Sequence, residues 1–222
     1  MAAHAAKHQL VLVGHGAFRP FRNVWMLEEL GVPYTHCEAK PHSAEASARH
    51  PMGKIPSLID GDLVTMYESA AINTYLGDRF RGHPGAPELV PPAGSPLRGR
   101  YEMLTHFISA EIDAQALWIH RKHDSLGHVF GDIPEAVVAA KSQFDRAMGT
   151  VKGELGRSGG EYLLGGRFSA ADILLVHCVN WAQSIGWIPK ERSAPPGEDA
   201  VPFDYLERCW ARPAYLRAAA KR

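Results

Sequence analysis

The sequence predicts an α/β domain over residues 1–82, a linker over 83–96 and an all-α domain over 97–222. Three observations carry this reading. Short apolar runs of strand length alternate with helical patterns up to residue 82. His83–Pro96 then gathers Pro84, Pro87, Pro91, Pro92 and Pro96 with Gly85 and Gly94, too much proline for an element and too short for a domain. Every long apolar pattern beyond it has helical period.

Leu10-Val11-Leu12-Val13 is a continuous apolar run, as expected of a strand buried on both faces. Gly14–Ala17 ends it, and Pro20 suits the first turn of a helix because its missing N–H is not needed there. Phe21, Val24, Trp25, Met26 and Leu27 line that helix, which Gly31 and Pro33 stop. Tyr34–Glu38 reads as a second strand and Ser43–Arg49 as a short helix. In Ile55-Pro56-Ser57-Leu58-Ile59 the proline pushes Ile55 toward extended geometry, and the X-Pro bond is a candidate for cis. Asp60-Gly61 is a hairpin signal, with Leu63–Met66 as the returning strand. Glu68-Ser69 opens a helix with Ala71, Ile72, Tyr75 and Leu76 on its apolar face. The order β-α-β-α-β-β-α implies a thioredoxin-like half with its first two strands parallel.

In the second half, Leu97–Leu126, Ile133–Leu155 and Ser169–Trp187 are helical patterns, and Phe203–Lys221 is a fourth broken around Pro213. Phe168-Ser169-Ala170-Ala171-Asp172-Ile173 places Ser at N-cap and Asp at N3, a capping-box variant, with Phe168 and Ile173 as a hydrophobic staple. Asp172 therefore reads as structural.

Composition narrows the function. Apolar content is 45% and charged content 22% of 222 residues, ordinary for a globular protein. Lys+Arg and Asp+Glu are 24 each, so no basic field points to nucleic acid or an anionic membrane. Cys37, Cys178 and Cys209 are far apart and form no C-x-x-C, which suits a reduced, cytoplasmic setting. Met1–Gln9 has no signal-peptide core and is expected to be a loose tail. No apolar run approaches the ~20 residues needed to cross a bilayer as a helix. His120 and His123 form an H-x-x-H, but His106 and His128 are too far along to complete a metal site, and none is expected. Gly14-x-Gly16 alone is no dinucleotide fingerprint.

The chemistry gathers around Ile55. A turn there would leave its N–H and C=O to pair with an extended ligand as an edge strand does. About ten residues on, the N-terminal N–H groups of the Glu68-Ser69 helix, with a hydroxyl beside them, suit a carboxylate. Together they fit a small peptide with a free carboxylate; the same residues also suit a plain hairpin followed by a capped helix.

His50-Pro51-Met52-Gly53-Lys54-Ile55-Pro56 and Glu68-Ser69-Ala70-Ala71-Ile72 resemble the N-terminal signature of cytosolic glutathione transferases, NP-x-G-K-[IV]-P-x-L followed by E-S-x-A-I-x-x-Y-L, with His50 where Asn is usual. The [FY]-[ST]-x-A-D device at Phe168–Asp172 belongs to the same pattern. The resemblance covers nearly the whole chain and implies the glutathione-transferase fold: an α/β thioredoxin-like domain plus an all-α C-terminal domain. It implies glutathione as co-substrate, no metal, a small electrophile as partner, and a homodimer with Met66, Tyr67, Arg79 and the start of the Leu97 helix near its interface. By the resemblance Ile55 and Pro56 form the cysteinyl clamp, Glu68 and Ser69 hold the γ-glutamyl end, and His42 and Lys54 lie near the glycyl carboxylate. The electrophile pocket is expected between the Phe18 loop and the first helices of the second domain, with Phe107 and Trp118 lining it.

Catalysis is where the sequence departs. A thiol with an ordinary pKa near ~8.5 needs a shift of about two units, or ~2.7 kcal/mol, to be mostly thiolate at neutral pH. A hydrogen bond to a charged acceptor carries ~1.5–3 kcal/mol, and the family places a Tyr, Ser or Cys after its first strand to make it. The serine-type pattern S-R-x-F-R-[VN]-x-W-x-L-E-E-L aligns with Phe18-Arg19-Pro20-Phe21-Arg22-Asn23-Val24-Trp25-Met26-Leu27-Glu28-Glu29-Leu30, so Phe18 occupies the serine position. From His15 to Asn23 there is no Ser, Thr, Tyr or Cys. Arg19 is the candidate substitute, together with the positive end of the first helix; His15 is a weaker one. Arg22 is expected to pair with a neighbouring carboxylate. The expected activity is conjugation of glutathione to a small hydrophobic electrophile, or dehalogenation or ether cleavage by the same attack. The alternative is a glutathione-transferase-like binding or regulatory module without turnover.

Overall fold

A computed structural model describes residues 9–191 and 201–221. Apart from Gln9, the tail expected at the N-terminus lies outside the described residues. The chain forms two compact units, Met1–Glu88 with Arg212–Arg222, and Leu89–Ala211.

In the first unit, β1 (Leu10–Val13), β2 (Tyr34–Cys37), β3 (Ser57–Asp60) and β4 (Val64–Tyr67) make one sheet in the order β2-β1-β3-β4. β1 runs parallel to β2 and antiparallel to β3, with Val13 opposite Ser57, and β3 is antiparallel to β4. Leu12 and Val13 are fully buried, as a doubly covered central strand requires. The β3–β4 connection is one residue longer than the expected tight hairpin: Gly61, at φ 48°, Asp62 and Leu63 intervene, and Leu63 N–H bonds back to the Asp60 carbonyl.

Helix α1 (Phe21–Leu30) ends at left-handed Gly31, φ 66°, whose N–H caps the Leu27 carbonyl. It is buried on nearly every side, Arg22 and Asn23 included. The short α2 (Ala44–Ser47) starts at Ser43, whose hydroxyl accepts the Ala46 N–H. α3 (Ser69–Arg79) follows β4 directly.

The domain limits read from the sequence shift at both ends of the helical half. Residues from Leu89 onward belong to the second unit rather than to a linker. Leu89 and Val90 are buried, and the Leu89 carbonyl accepts Ala170 N–H. Apolar burial outweighs the extended bias of the surrounding prolines. At the other end, α10 (Pro213–Ala219) joins the first unit. Tyr215 packs edge-on against Trp25 and Phe21, with ring centroids 4.8 and 5.8 Å apart. Arg212 grips Glu29 through two bonds of 2.6 and 2.8 Å, while Arg217 and Lys221 bond Glu28.

The second unit contains α4 (Pro96–Phe107), a π-helix (Ile108–Leu117), α5 (Trp118–His123), α6 (Gly127–Phe130), α7 (Pro134–Arg157), α8 (Ala170–Ser184) and α9 (Phe203–Trp210). The single pattern over Leu97–Leu126 thus winds differently in its middle, where Trp118 N–H reaches the Asp113 carbonyl five residues back. α8 is buried from Ala170 through Val179 and forms the centre of this unit, as an almost wholly apolar helix must. Its capping box is present: Asp172 Oδ2 accepts Ser169 N–H and the Ser169 hydroxyl, each at 2.8 Å. Oδ1 takes Leu163 N–H at 2.9 Å and the Tyr205 hydroxyl at 3.0 Å. Burial raises the Asp172 pKa, and these four donors pull against that rise. No helix among the described residues is long and apolar enough to cross a membrane.

Candidate functional site

The first unit brings three stretches together around Ile55. The Ile55–Pro56 bond is cis, and Ile55 lies just before Ser57, the first residue paired in β3. Gly14, at the end of β1, has φ 135° and no room for a side chain: a Cβ there would lie 2.6 Å from Pro20 Cγ and 2.9 Å from Ile55 Cβ. Only glycine allows this loop and the Ile55 turn to close on each other.

The third stretch is the start of α3. Glu68 stands at φ 72°, a left-handed conformation uncommon for a residue with a side chain, and leads directly into Ser69. Ser69 is buried, and its hydroxyl accepts a 3.1 Å bond from Arg22 Nη1. Asn23 Nδ2 donates to the Ser69 carbonyl at 2.9 Å and to Asn73 Oδ1 at 2.7 Å, and Asn73 Nδ2 donates to the Arg22 carbonyl. Arg22, a residue only 2% exposed, reaches across with its guanidinium to a hydroxyl on another helix. A buried cation beside a helix N-terminus attracts an anion on two counts. Sequence reasoning missed Arg22, Asn23 and Asn73 as a group; the available signal was two polar residues inside an otherwise apolar helix start.

The loop before Ile55 is tied by His42, φ 65°, whose N–H bonds the Gly53 carbonyl at 2.6 Å. Gly53, φ 61°, leaves room for the His42 imidazole and Ser47 hydroxyl; a Cβ would meet them at 2.9 and 3.1 Å. Lys54 is exposed. His50 is buried, its Nδ1 accepts Met52 N–H at 3.0 Å, and its ring lies 4.4 Å from that of Tyr67. Burial lowers the His50 pKa below its ordinary 6.5, with Lys54 adding to the drop and Glu68 opposing it. Because the unfolded chain binds the proton more readily, the stability contributed by neutral His50 is intact above pH 6.5 and is lost as pH falls below it through the depressed value. His50→Asn should flatten the pH dependence of the melting temperature in this window; an unchanged slope would assign that dependence to other groups.

Phe18 is 37% exposed and stands edge-on to His15, with centroids 5.7 Å apart. Arg19 is half-buried at the entry to α1. In the second unit Phe107 ends α4, and Trp118 begins α5 with its ring edge-on to Phe130. A surface groove of about 460 Å³ between the π-helix, α5 and α7 is lined by Glu111, Gln115, Ile119 and Gln143 with alanines, and by neither aromatic. The intervening π-helix breaks the shared face that α-helical spacing gave Phe107 and Trp118. His120 packs against Trp187, and His123 bonds the Gly131 carbonyl. No group of three or more His, Cys, Asp or Glu among the described residues is placed to hold a metal.

Comparison with known proteins now bears on this geometry. Residues 22–84 match the glutathione S-transferase N-terminal domain, and residues 116–197 the glutathione S-transferase C-terminal domain. The chain belongs to the glutathione S-transferase family. It is 27% identical over 161 residues to the glutathione S-transferase-like protein OpS6 of Beauveria bassiana, covering 71% of each chain. Glutathione transferase URE2P6 of Phanerochaete chrysosporium, solved with oxidized glutathione, shares the fold at a TM-score of 0.80, 21% identity and 96% coverage of both chains. Ure2p in complex with glutathione shares it at 0.78 and 19%, over 95% of this chain and 98% of that one. Glutathione transferase F7 of Populus trichocarpa does so at 0.77 and 17%, over 96% and 98%.

Proposed function

We propose that this protein is a glutathione transferase that directs the thiolate of glutathione onto a small hydrophobic electrophile, in conjugation, dehalogenation or ether cleavage. The observation that carries the reading is the Arg22 guanidinium on the Ser69 hydroxyl at the first turn of α3. A guanidinium beside a helix N-terminus suits a carboxylate, and the resemblance assigns this place to the γ-glutamyl end. Ile55 and Pro56 hold the cysteinyl backbone, Glu68 takes the glutamyl ammonium, and His42 and Lys54 lie toward the glycyl carboxylate. In the reaction the thiolate forms a carbon–sulfur bond as the halide or alkoxide leaves with the bonding pair, and the protein supplies proximity and thiolate stabilisation. A cytoplasmic, homodimeric detoxification enzyme is the setting the family suggests.

The test is calorimetry with glutathione, followed by turnover of chlorodinitrobenzene. Binding in the micromolar to millimolar range with conjugate formation is expected; no binding would remove the reading. A second reading, a binding module without turnover, is favoured by the absence of any hydroxyl or thiol from His15 to Asn23. It requires bound glutathione whose thiol pKa is unshifted. Phe18→Ser restores the family's usual donor and should raise conjugation about tenfold, the effect of one hydrogen bond to a charged acceptor. Equal rates, with glutathione still bound, would mean the thiol does not lie beside residue 18.

A further inference from the structure

Given the proposed function, on which this inference rests, the sulfur must find a donor close to Ile55. Gly14 packs closely against Ile55 and opens the segment Gly14–Pro20. Its side-chain donors are those of His15 and Arg19 alone.

The His15 ring is held in place. A backbone N–H can only donate, and Ala17 N–H lies 3.0 Å from His15 Nδ1. Nδ1 is therefore the acceptor, and the neutral ring carries its proton on Nε2, at the other side of the imidazole. The edge contact with Phe18 and the return bond from Phe18 N–H to the His15 carbonyl at 3.2 Å fix the ring on its loop. The imidazole remains 39% exposed, so Nε2–H is presented rather than consumed by packing. Glu38, at the end of β2, faces both histidines of this corner: its carboxylate is 3.9 Å from His15 Nδ1 and 3.6 Å from His36 Nδ1. His36 Nε2 meanwhile bonds the Gly14 carbonyl at 2.7 Å, so the second histidine braces the residue before His15.

We infer that His15 is the catalytic hydrogen-bond donor to the glutathione sulfur, its Nε2–H replacing the hydroxyl that Phe18 lacks. The imidazole N–H bonds the thiolate directly, and no proton need leave the histidine. His15 makes no bond to the Arg22–Ser69 anchor, so the donor and the anchor are separable.

The experiment is a thiolate-absorbance titration of the protein–glutathione complex, saturated with glutathione, for the unaltered protein and for His15→Ala, His15→Gln and Arg19→Ala. His15→Ala should raise the bound thiol pKa by about one to two units and lower kcat for chlorodinitrobenzene about tenfold or more, with glutathione affinity within about threefold. His15→Gln, which keeps an N–H donor, should recover part of the shift, which a merely structural role would not predict. An unchanged thiol pKa in His15→Ala, or a rise confined to Arg19→Ala, overturns the assignment to His15 while leaving the glutathione-transferase reading standing. A bound thiol with an unshifted pKa in the unaltered protein overturns it in favour of the binding module. Failure of the unaltered protein to bind glutathione removes both readings.

Discussion

Arg22→Ala is expected to weaken glutathione binding about a hundredfold, the consequence of removing one partner from a buried charge-assisted pair. Arg22 is buried against Ser69 at the N-terminus of α3, where the ligand's carboxylate is assigned. Without its guanidinium, the carboxylate would keep only the helix N–H groups and the Ser69 hydroxyl. Arg22→Lys should fall between the two, because an ammonium keeps the charge but loses the planar fork that bonds serine and carboxylate together. The measurement is calorimetry at a temperature where both variants are folded, with melting curves alongside. The truncation also removes the cross-helix bond, so some loss of thermal stability is expected without ligand. Affinity within threefold of the original in Arg22→Ala would place the carboxylate elsewhere and withdraw the anchor from the site.

Asp172→Ala is expected to be the most damaging substitution for folding. The carboxylate accepts four bonds in a fully buried position: Leu163 N–H, Ser169 N–H, the Ser169 hydroxyl and the Tyr205 hydroxyl. An alanine leaves these donors facing apolar surroundings at ~1–3 kcal/mol for each that finds no replacement, and it also removes the cap of α8. A loss of about 4 kcal/mol corresponds to a fall of about 8–16 °C in melting temperature for a protein of this size. Asp172→Asn should cost less, since it keeps the shape but turns one acceptor into a donor. Ligand affinity of whatever folds should be unchanged, because Asp172 has its role in the second unit. A melting temperature within two or three degrees of the original, read by scanning calorimetry, would show that water or rearrangement satisfies the donors.

Much of the architecture was legible because it depends on local chemistry. The apolar run at Leu10–Val13 becomes the central strand, Gly31 ends α1 in the left-handed conformation only glycine adopts without cost, and Ser169 and Asp172 cap α8 as their spacing implies. Ile55-Pro56 was legible as a turn for the same reason. Boundaries moved by a residue or two where pairing rather than propensity decides, as at Ser57 and Tyr67. The π-helix at Ile108–Leu117 left no mark, since apolar residues with near-helical spacing are compatible with either winding and the choice rests on what packs against it. α10 was legible as a helix, but not its place: Tyr215, Arg212 and Arg217 find their partners on α1 at separations of nearly the whole chain.

The candidate site divides in the same way. The sequence by itself determined the family resemblance, the glycine stop after the first strand at Gly14, the turn at Pro56, the Ser69 helix start, and the missing hydroxyl at Phe18, because each depends on a residue type at a local position. Only the tertiary structure decided that Arg22 and Asn23 reach Ser69 and Asn73 across two helices, and that Gly14, the residue before His15, closes on the Ile55 turn. A hydrogen bond between residues 47 apart is set by how helices lie on the sheet, and one-dimensional spacing does not contain that information.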